Sequence, residues 1–157
     1  MTRAMRADDY GWVHALNTVH ETELSPLTPE ALAALAEQAF LSEVADPQAA
    51  FMLAFDQDAA YDSPNFLWFR ERYPRFAYVD RVAVSGDHRR KGLAARLYDA
   101  LFDAARAAGH SHVVCEVNSD PPNPGSDAFH VARGFEIVGE ARLDDRGKTV
   151  RYMASTL

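Results

Sequence analysis

One cysteine, Cys115, occurs in the 157 residues. With no second thiol an internal disulfide is excluded, and a reducing, cytoplasmic setting is the simpler expectation. Positive charge is also scarce: 16 Lys and Arg against 23 Asp and Glu leave a formal net charge of −7. That balance argues against a nucleic-acid partner, which usually meets a basic face, and leaves room for a cationic or neutral small substrate. No apolar run approaches the roughly 18 residues of a transmembrane helix, so no membrane partner is expected. Met1 to Tyr10 carries charge but no apolar h-region, so it does not read as a secretory signal. The GxGxxG and GxxxxGK[ST] spacings are missing, and so is a Gly-x-Ser-x-Gly elbow. The histidines show no metal spacing: His14 and His20 are not an i, i+4 pair, and His110 and His112 flank a strand start. No linker, repeat or low-complexity stretch interrupts residues 1–157, which read as a single domain.

What remains is ordinary globular composition, 48% hydrophobic and 25% charged. Asp8 to Val19 reads as a helix, with Trp12, Val13, Leu16 and Val19 near one face. His20 to Leu27 is a polar loop holding Glu21 and Glu23. Thr28-Pro29-Glu30 starts a second helix, with proline at its first position. Phe40 to Ala45 and Phe51 to Phe55 read as strands joined around Asp46-Pro47. Asp58 to Pro74, rich in aromatics, reads as a loop or short helix packed on the core, with a lid over a pocket as the alternative. Phe76 to Val84 is the clearest strand; strict alternation puts Tyr78, Asp80, Val82 and Val84 on one face. A helix from about Gly92 carries the stripe Leu93, Leu97, Leu101 and Ala105 and is capped by Gly109. Val113 to Val117, Phe135 to Gly139 and Val150 to Ala154 are strands. Ser126 to Arg133 is a short helix, Asp120 to Gly125 a proline-rich turn and Asp144 to Gly147 a second turn. Alternating strands and helices predict an α+β (α/β-like) domain with a mixed central sheet.

The segment Arg89-Arg90-Lys91-Gly92-Leu93-Ala94 joins the clearest strand to the longest helix. The first turn of a helix leaves backbone N–H groups unpaired, and their dipoles favour an anion. A glycine there allows close approach, and the three cations add charge, so a phosphate docks readily. The alternative for this segment is a plain strand-to-helix turn with a solvated basic surface.

Val82-Ala83-Val84 followed by Arg89-x-x-Gly92-x-Ala94 resembles the acyl-CoA-binding motif of the GNAT superfamily of N-acetyltransferases, within a poorly characterised bacterial branch. Downstream, Cys115-Glu116-Val117-Asn118, Pro121-Pro122-Asn123-Pro124 with Ser126, and Phe129-His130-Val131-Ala132-Arg133-Gly134-Phe135 continue the likeness. It covers Phe76 to Gly139 closely and the N-terminal half by order of elements. The resemblance implies a GNAT fold: a central sheet of six to seven strands, splayed at the cofactor site and flanked by about four helices. It implies acetyl-CoA as co-substrate, no metal, and an acyltransferase acting on a primary amine of a small molecule or peptide. A homodimer is compatible with it. The backbone of Val82, Ala83 and Val84 would pair with the pantetheine arm. Arg89, Arg90, Lys91, Gly92, Leu93 and Ala94 would hold the pyrophosphate. Asn123, with Asn118, Ser126 and Phe129, would line the arm, and His130 would lie near the sulfur.

Acyl transfer to an amine needs a base for the amine and a donor for the oxyanion, and the leaving thiolate takes a proton. His130 is the candidate acid; its alternative is a neutral histidine that packs and hydrogen-bonds. Asp80, on the face of Val82 and Val84, and Glu116, on the next strand, are candidate bases. Glu21 and Glu23 are the acceptor-side carboxylates. For each carboxylate a salt bridge or a solvated group is the competing reading. Tyr78 stands where some members carry a catalytic glutamate. Cys115 reads as a buried small hydrophobe. The rival functions are a non-catalytic acyl-CoA sensor with the same fold and a nucleotide-binding domain unrelated to CoA.

Overall fold

Seven strands and five α-helices form a mixed sheet with helices on both faces, in a computed structural model that describes every residue except Pro121 and the side chain of Arg146. In chain order they are β1 (Thr2–Ala4), α1 (Tyr10–Val19), α2 (Pro29–Gln38), β2 (Leu41–Ala45), β3 (Ala50–Asp56), α3 (Pro64–Arg70), β4 (Phe76–Val84), α4 (Leu93–Ala107), β5 (His112–Asp120), α5 (Pro124–Ala132), β6 (Glu136–Leu143) and β7 (Lys148–Thr156). The strand order is β1-β2-β3-β4-β5-β7-β6. Every pairing is antiparallel except β4 with β5.

The expected helix start at Thr28 forms, and α5 begins at Pro124, two residues ahead of the expected Ser126. Thr28 Oγ1 accepts from Ala31 N–H at 3.1 Å with Pro29 in the first turn of α2. Asn123 caps α5 by accepting from Ser126 N–H at 3.3 Å. The α4 stripe is buried: Leu97, Leu101 and Ala105 pack on Met52, Ala54, Val79, Cys115 and Met153. Each such leucine is worth about 1.5–3 kcal/mol. On the other face, α1 and α2 cover Phe51, Leu53 and Ala83. There α3 seats Phe66 and Phe69 against Phe55, Phe76, Tyr78 and Tyr152. Asp58 to Pro74 is therefore a core-packed short helix with its lead-in, and it brings the α-helix count to five. Trp68 of α3 stacks on Tyr152 at 4.2 Å and crosses β6 at Gly139, where any Cβ would collide with the indole.

Two features escaped the periodicity. β1 spans three residues, too short for a period-2 signal, and pairs with β2 from Thr2↔Ala45 to Ala4↔Glu43. β4 is bulged: Ala54 faces Val79 and Leu53 faces Arg81, so Asp80 is the extra residue. A bulge reverses the faces beyond it. Tyr78, Asp80, Val82 and Val84 therefore do not share a face. Tyr78 lies in the α3-side cluster, whereas Val82 and Val84 pack with the α4 side. Of the expected turn at 120–125, Pro121 lies outside the described residues.

Candidate active site

The parallel seam between β4 and β5 holds for three residue pairs only, Phe76↔His112, Ala77↔Val113 and Tyr78↔Val114. Past Tyr78 the bulged β4 leans away and the sheet opens. A cavity of about 180 Å3 occupies the gap and reaches both faces of the sheet, lined among others by Asp80, Val82, Tyr98, Cys115, Glu116 and His130. Asn118, Asn123 and Ser126 line its α5 side, and Glu23, Leu24, Leu143 and Lys148 its mouth. Lys148 borders that mouth and donates to Thr22 O at 2.8 Å, which ties the start of β7 to the α1–α2 loop.

Where β5 departs, β4 has a free edge. Ser85 N–H donates to Ala49 O at 2.7 Å, toward the β3 side. Alternation then turns Ala83 toward β3 as well, and the backbone groups of Val82 and Val84 toward the open edge. A groove of about 190 Å3 continues past Val84 along Arg89, Arg90, Gly92, Leu93 and Ala94, with Phe129 as its far wall. Arg90 and Gly92 both have left-handed backbone, φ 64° and 73°. The first bond of α4 runs from Arg96 N–H to Gly92 O, 3.1 Å, so the N–H groups of Leu93 to Ala95 precede the ladder. Lys91 is exposed beside this turn and does not line the groove. Ala83 is buried against the α1 and α2 side.

Glu116 is the carboxylate at the centre of the gap. Tyr78 Oη donates to its Oε1 at 2.9 Å, and Asn65 Nδ2 donates to the same oxygen at 3.0 Å. Its Oε2 is buried with no partner. Burial pushes the carboxyl up to about 7, against the pull of the two donors. Asp80 is arranged differently: Tyr61 Oη donates to Oδ1 at 2.7 Å and Arg81 Nε to Oδ2 at 2.9 Å. Both of its oxygens are engaged. Arg81 also reaches Asn17 Oδ1 and Ser25 O, each at 2.9 Å, and so pins α1 and its loop to β4.

His130 is buried on the α4 side of the gap. Its Nδ1 lies 2.7 Å from Ser126 O and its Nε2 2.8 Å from Tyr98 Oη. A carbonyl can only accept, so Nδ1 carries the proton and Nε2 accepts from the tyrosine. Burial lowers the imidazole below its ordinary range. This is the neutral, hydrogen-bonding form. Tyr98 Oη is raised well above its usual value by burial. Cys115 also lines the cavity, and burial pushes its thiol up, which keeps it protonated. Glu23 lines the cavity, whereas Glu21 lines only an adjoining pocket of about 190 Å3 that shares Glu23, Leu24 and Lys148 with it. Among the described residues no cluster of three or more His, Cys, Asp or Glu could hold a metal ion, and no helix is long and apolar enough to cross a membrane.

Sequence reasoning missed Asn65, Tyr98, Tyr152 and Lys148. Asn65 carried a signal, a lone amide between Pro64 and the apolar Phe66-Leu67-Trp68-Phe69. Tyr98 sat beside the α4 stripe, where it read as core.

A family model described as Acetyltransferase (GNAT) family matches residues 19–135. No curated protein sequence matches the chain. Among solved structures, Ard1 from Thermoplasma volcanium is similar with a TM-score of 0.78 at 20% identity, covering 100% of this chain and 97% of that one. A ribosomal-protein-alanine N-acetyltransferase from Brucella melitensis gives 0.76 at 18%, covering 100% and 99%. Naa20 from Chaetomium thermophilum, in complex with a bisubstrate analogue, gives 0.76 at 18%, covering 100% and 86%. At these identities the likeness shows the fold alone.

Proposed function

Because the chain belongs to the GNAT family of acetyltransferases, we propose that it transfers an acetyl group from acetyl-CoA to a primary amine by direct attack in a ternary complex, with Glu116 as base. The observation that carries the reading is a cavity through the splayed sheet with Glu116 in it, one carboxylate oxygen buried and unpartnered. An alkylammonium has no free lone pair and holds its proton near neutral pH. A carboxylate held near 7 is matched to removing that proton at physiological pH. Asp80 fits the role less well, since both its oxygens already accept.

The residues around the gap fit the co-substrate. The free edge of Val82 and Val84 offers backbone pairing to the amides of the pantetheine arm. The left-handed turn at Arg90 and Gly92 and the start of α4 offer N–H groups to the pyrophosphate, with Arg89, Arg90 and Lys91 adding charge. Asn118, Asn123 and Ser126 flank the arm, and Phe129 walls the groove. The acetyl thioester brings an activated acyl group, so no covalent enzyme intermediate is needed. Neutral His130 orients Tyr98 rather than donating a proton. Little acid help is required, because a thiol of pKa about 8.5 leaves readily as thiolate. The acceptor enters past Glu23, Leu24 and Lys148. The ribosomal-protein-alanine enzyme among the similar structures makes an alanine-initiated peptide the first acceptor to test, beside lysine and spermidine. One buried thiol suits the reducing cytoplasm.

The test is acetyl-CoA binding by calorimetry together with free CoA release from those three amines. Saturable binding with release supports the reading. At 100 times Kd, acetyl-CoA should stabilise the fold by about 2.7 kcal/mol and raise Tm accordingly. Absence of binding would overturn it. Binding without release from any amine would favour a non-catalytic acyl-CoA sensor.

A further inference from the structure

We infer that Asn65 and Tyr78 are positioning residues, which hold Glu116 by one carboxylate oxygen and leave the other free to take the acceptor's proton. The inference rests on the reading of Glu116 as base. Two donors from different elements, α3 and β4, converge on Oε1 at 3.0 and 2.9 Å. Neither touches Oε2, which is buried without a partner. A carboxylate gripped in this way cannot rotate without losing both donors, so its free oxygen keeps one direction. Asn65 is itself held: Tyr152 Oη donates to its Oδ1 at 2.8 Å. An ionised carboxylate only accepts, so the amide NH2 end faces Glu116 and leaves Oδ1 for the tyrosine hydroxyl, which can donate. Tyr152 is locked in turn by its stack on Trp68. The chain Tyr152 to Asn65 to Glu116 thus ties the orientation of one carboxylate to the packing of α3 on β7.

The surroundings make these two donors decisive. Asp80, beside Tyr78 on β4, adds a negative charge that opposes ionisation of Glu116. Arg81 is occupied by Asp80, Asn17 and Ser25 O. Tyr61, ahead of α3, donates to Asp80. Tyr98 and Cys115 approach from the α4 side, both neutral. Glu23 and Lys148 stand at the mouth, with Lys148 bonded to Thr22 O. Asn65 and Tyr78 are therefore the two side-chain donors that stabilise the ionised carboxylate, beside the backbone N–H of Glu116 itself.

The test is the titration of the Glu116 side-chain carboxyl by 13C NMR in the full chain, assigned by its loss in Glu116→Gln. Tyr78→Phe and Asn65→Leu each remove one donor to Oε1 while keeping volume. Each should raise the midpoint by about one pH unit, and Tyr152→Phe, which only frees the amide to turn, by less. The NMR arm needs no acceptor. Midpoints unmoved in Tyr78→Phe and Asn65→Leu would overturn the inference and leave the proposed base standing. The second arm is the pH–rate profile with acetyl-CoA and an alanine-initiated peptide, whose ascending limb should move up with the carboxyl. A limb that stays in place while the carboxyl moves would show that Glu116 is not the base, and the catalytic role of both holders would fall with it. A uniform loss of rate with an unshifted limb and carboxyl is the signature of a merely structural role.

Discussion

At the scale of the residue, Glu116 carries the two opposed demands of a catalytic carboxylate. It is buried enough to sit near 7 and bonded enough to ionise. Replacing it by Gln keeps an Oε1 acceptor for Tyr78 and Asn65 but removes the base. The expected loss in kcat is roughly 10²–10⁴-fold, with the ascending limb near pH 7 flattened and acetyl-CoA affinity unchanged by calorimetry. The same substitution should affect stability with a definite sign. The folded pKa lies above the ordinary 4.5, so the neutral form is favoured by folding and that advantage is lost as pH rises from 4.5 through about 7. Glu116→Gln should therefore melt above wild type at pH 8, and the gap should shrink toward pH 5. Thermal unfolding at both values checks it. Glu116 was legible in the sequence as a strand carboxylate. Its partners were not, because Asn65 and Tyr78 are 51 and 38 residues distant and only folding brings them to one oxygen.

At the scale of the element, β4 and the turn into α4 decide the site. The strand was legible to the residue, since an unbroken run from Phe76 to Val84 admits little else. Its bulge was not: alternation in an apolar strand looks the same with or without one extra residue, and only the register with β3 shows that Asp80 is the insert. The helix start was legible through Gly92, and its φ of 73° gives the physical reason for glycine there. Gly92→Ala should cost about 1–2 kcal/mol of stability and weaken acetyl-CoA binding more than it weakens folding, read by Tm and calorimetry on one preparation. Gly139 is the corresponding point on the opposite side. There Ala would strike Trp68 and disturb its stack on Tyr152. Gly139→Ala should lower Tm and, through Tyr152 and Asn65, also lower kcat, although Gly139 itself does not line the cavity.

For the whole molecule, charge and burial set the pH range of the fold. Burial lowers His110, His112 and His130 below the ordinary 6.5. A histidine with a lowered folded pKa supplies stability that is present above 6.5 and lost as pH falls below it, because the unfolded chain then binds more protons. Asp9, held well below the usual carboxylate range chiefly by its hydrogen bonds to Arg3, adds a loss at more acid pH. Tm should therefore decline as pH drops from 6.5 toward 5, measured without ligand. In Glu116→Gln the decline should be steeper, since that variant lacks a buried carboxyl whose raised pKa favours the fold as pH falls.

Apart from the three-residue β1, the main order of strands and helices, the Thr28 helix start, the glycine turn at Arg89 to Ala94 and the family motifs from Val82 to Phe135 were written locally, in spacing and side-chain type. Such features depend on neighbours along the chain, so one dimension suffices to read them. The face on which Asp80 lies, the neutral state of His130, the orphaned oxygen of Glu116 and the tie through Asn65 to Tyr152 were decided only by the fold. Each depends on register, burial or a partner far away in sequence, and those quantities come into being when the sheet splays and α3 packs across it.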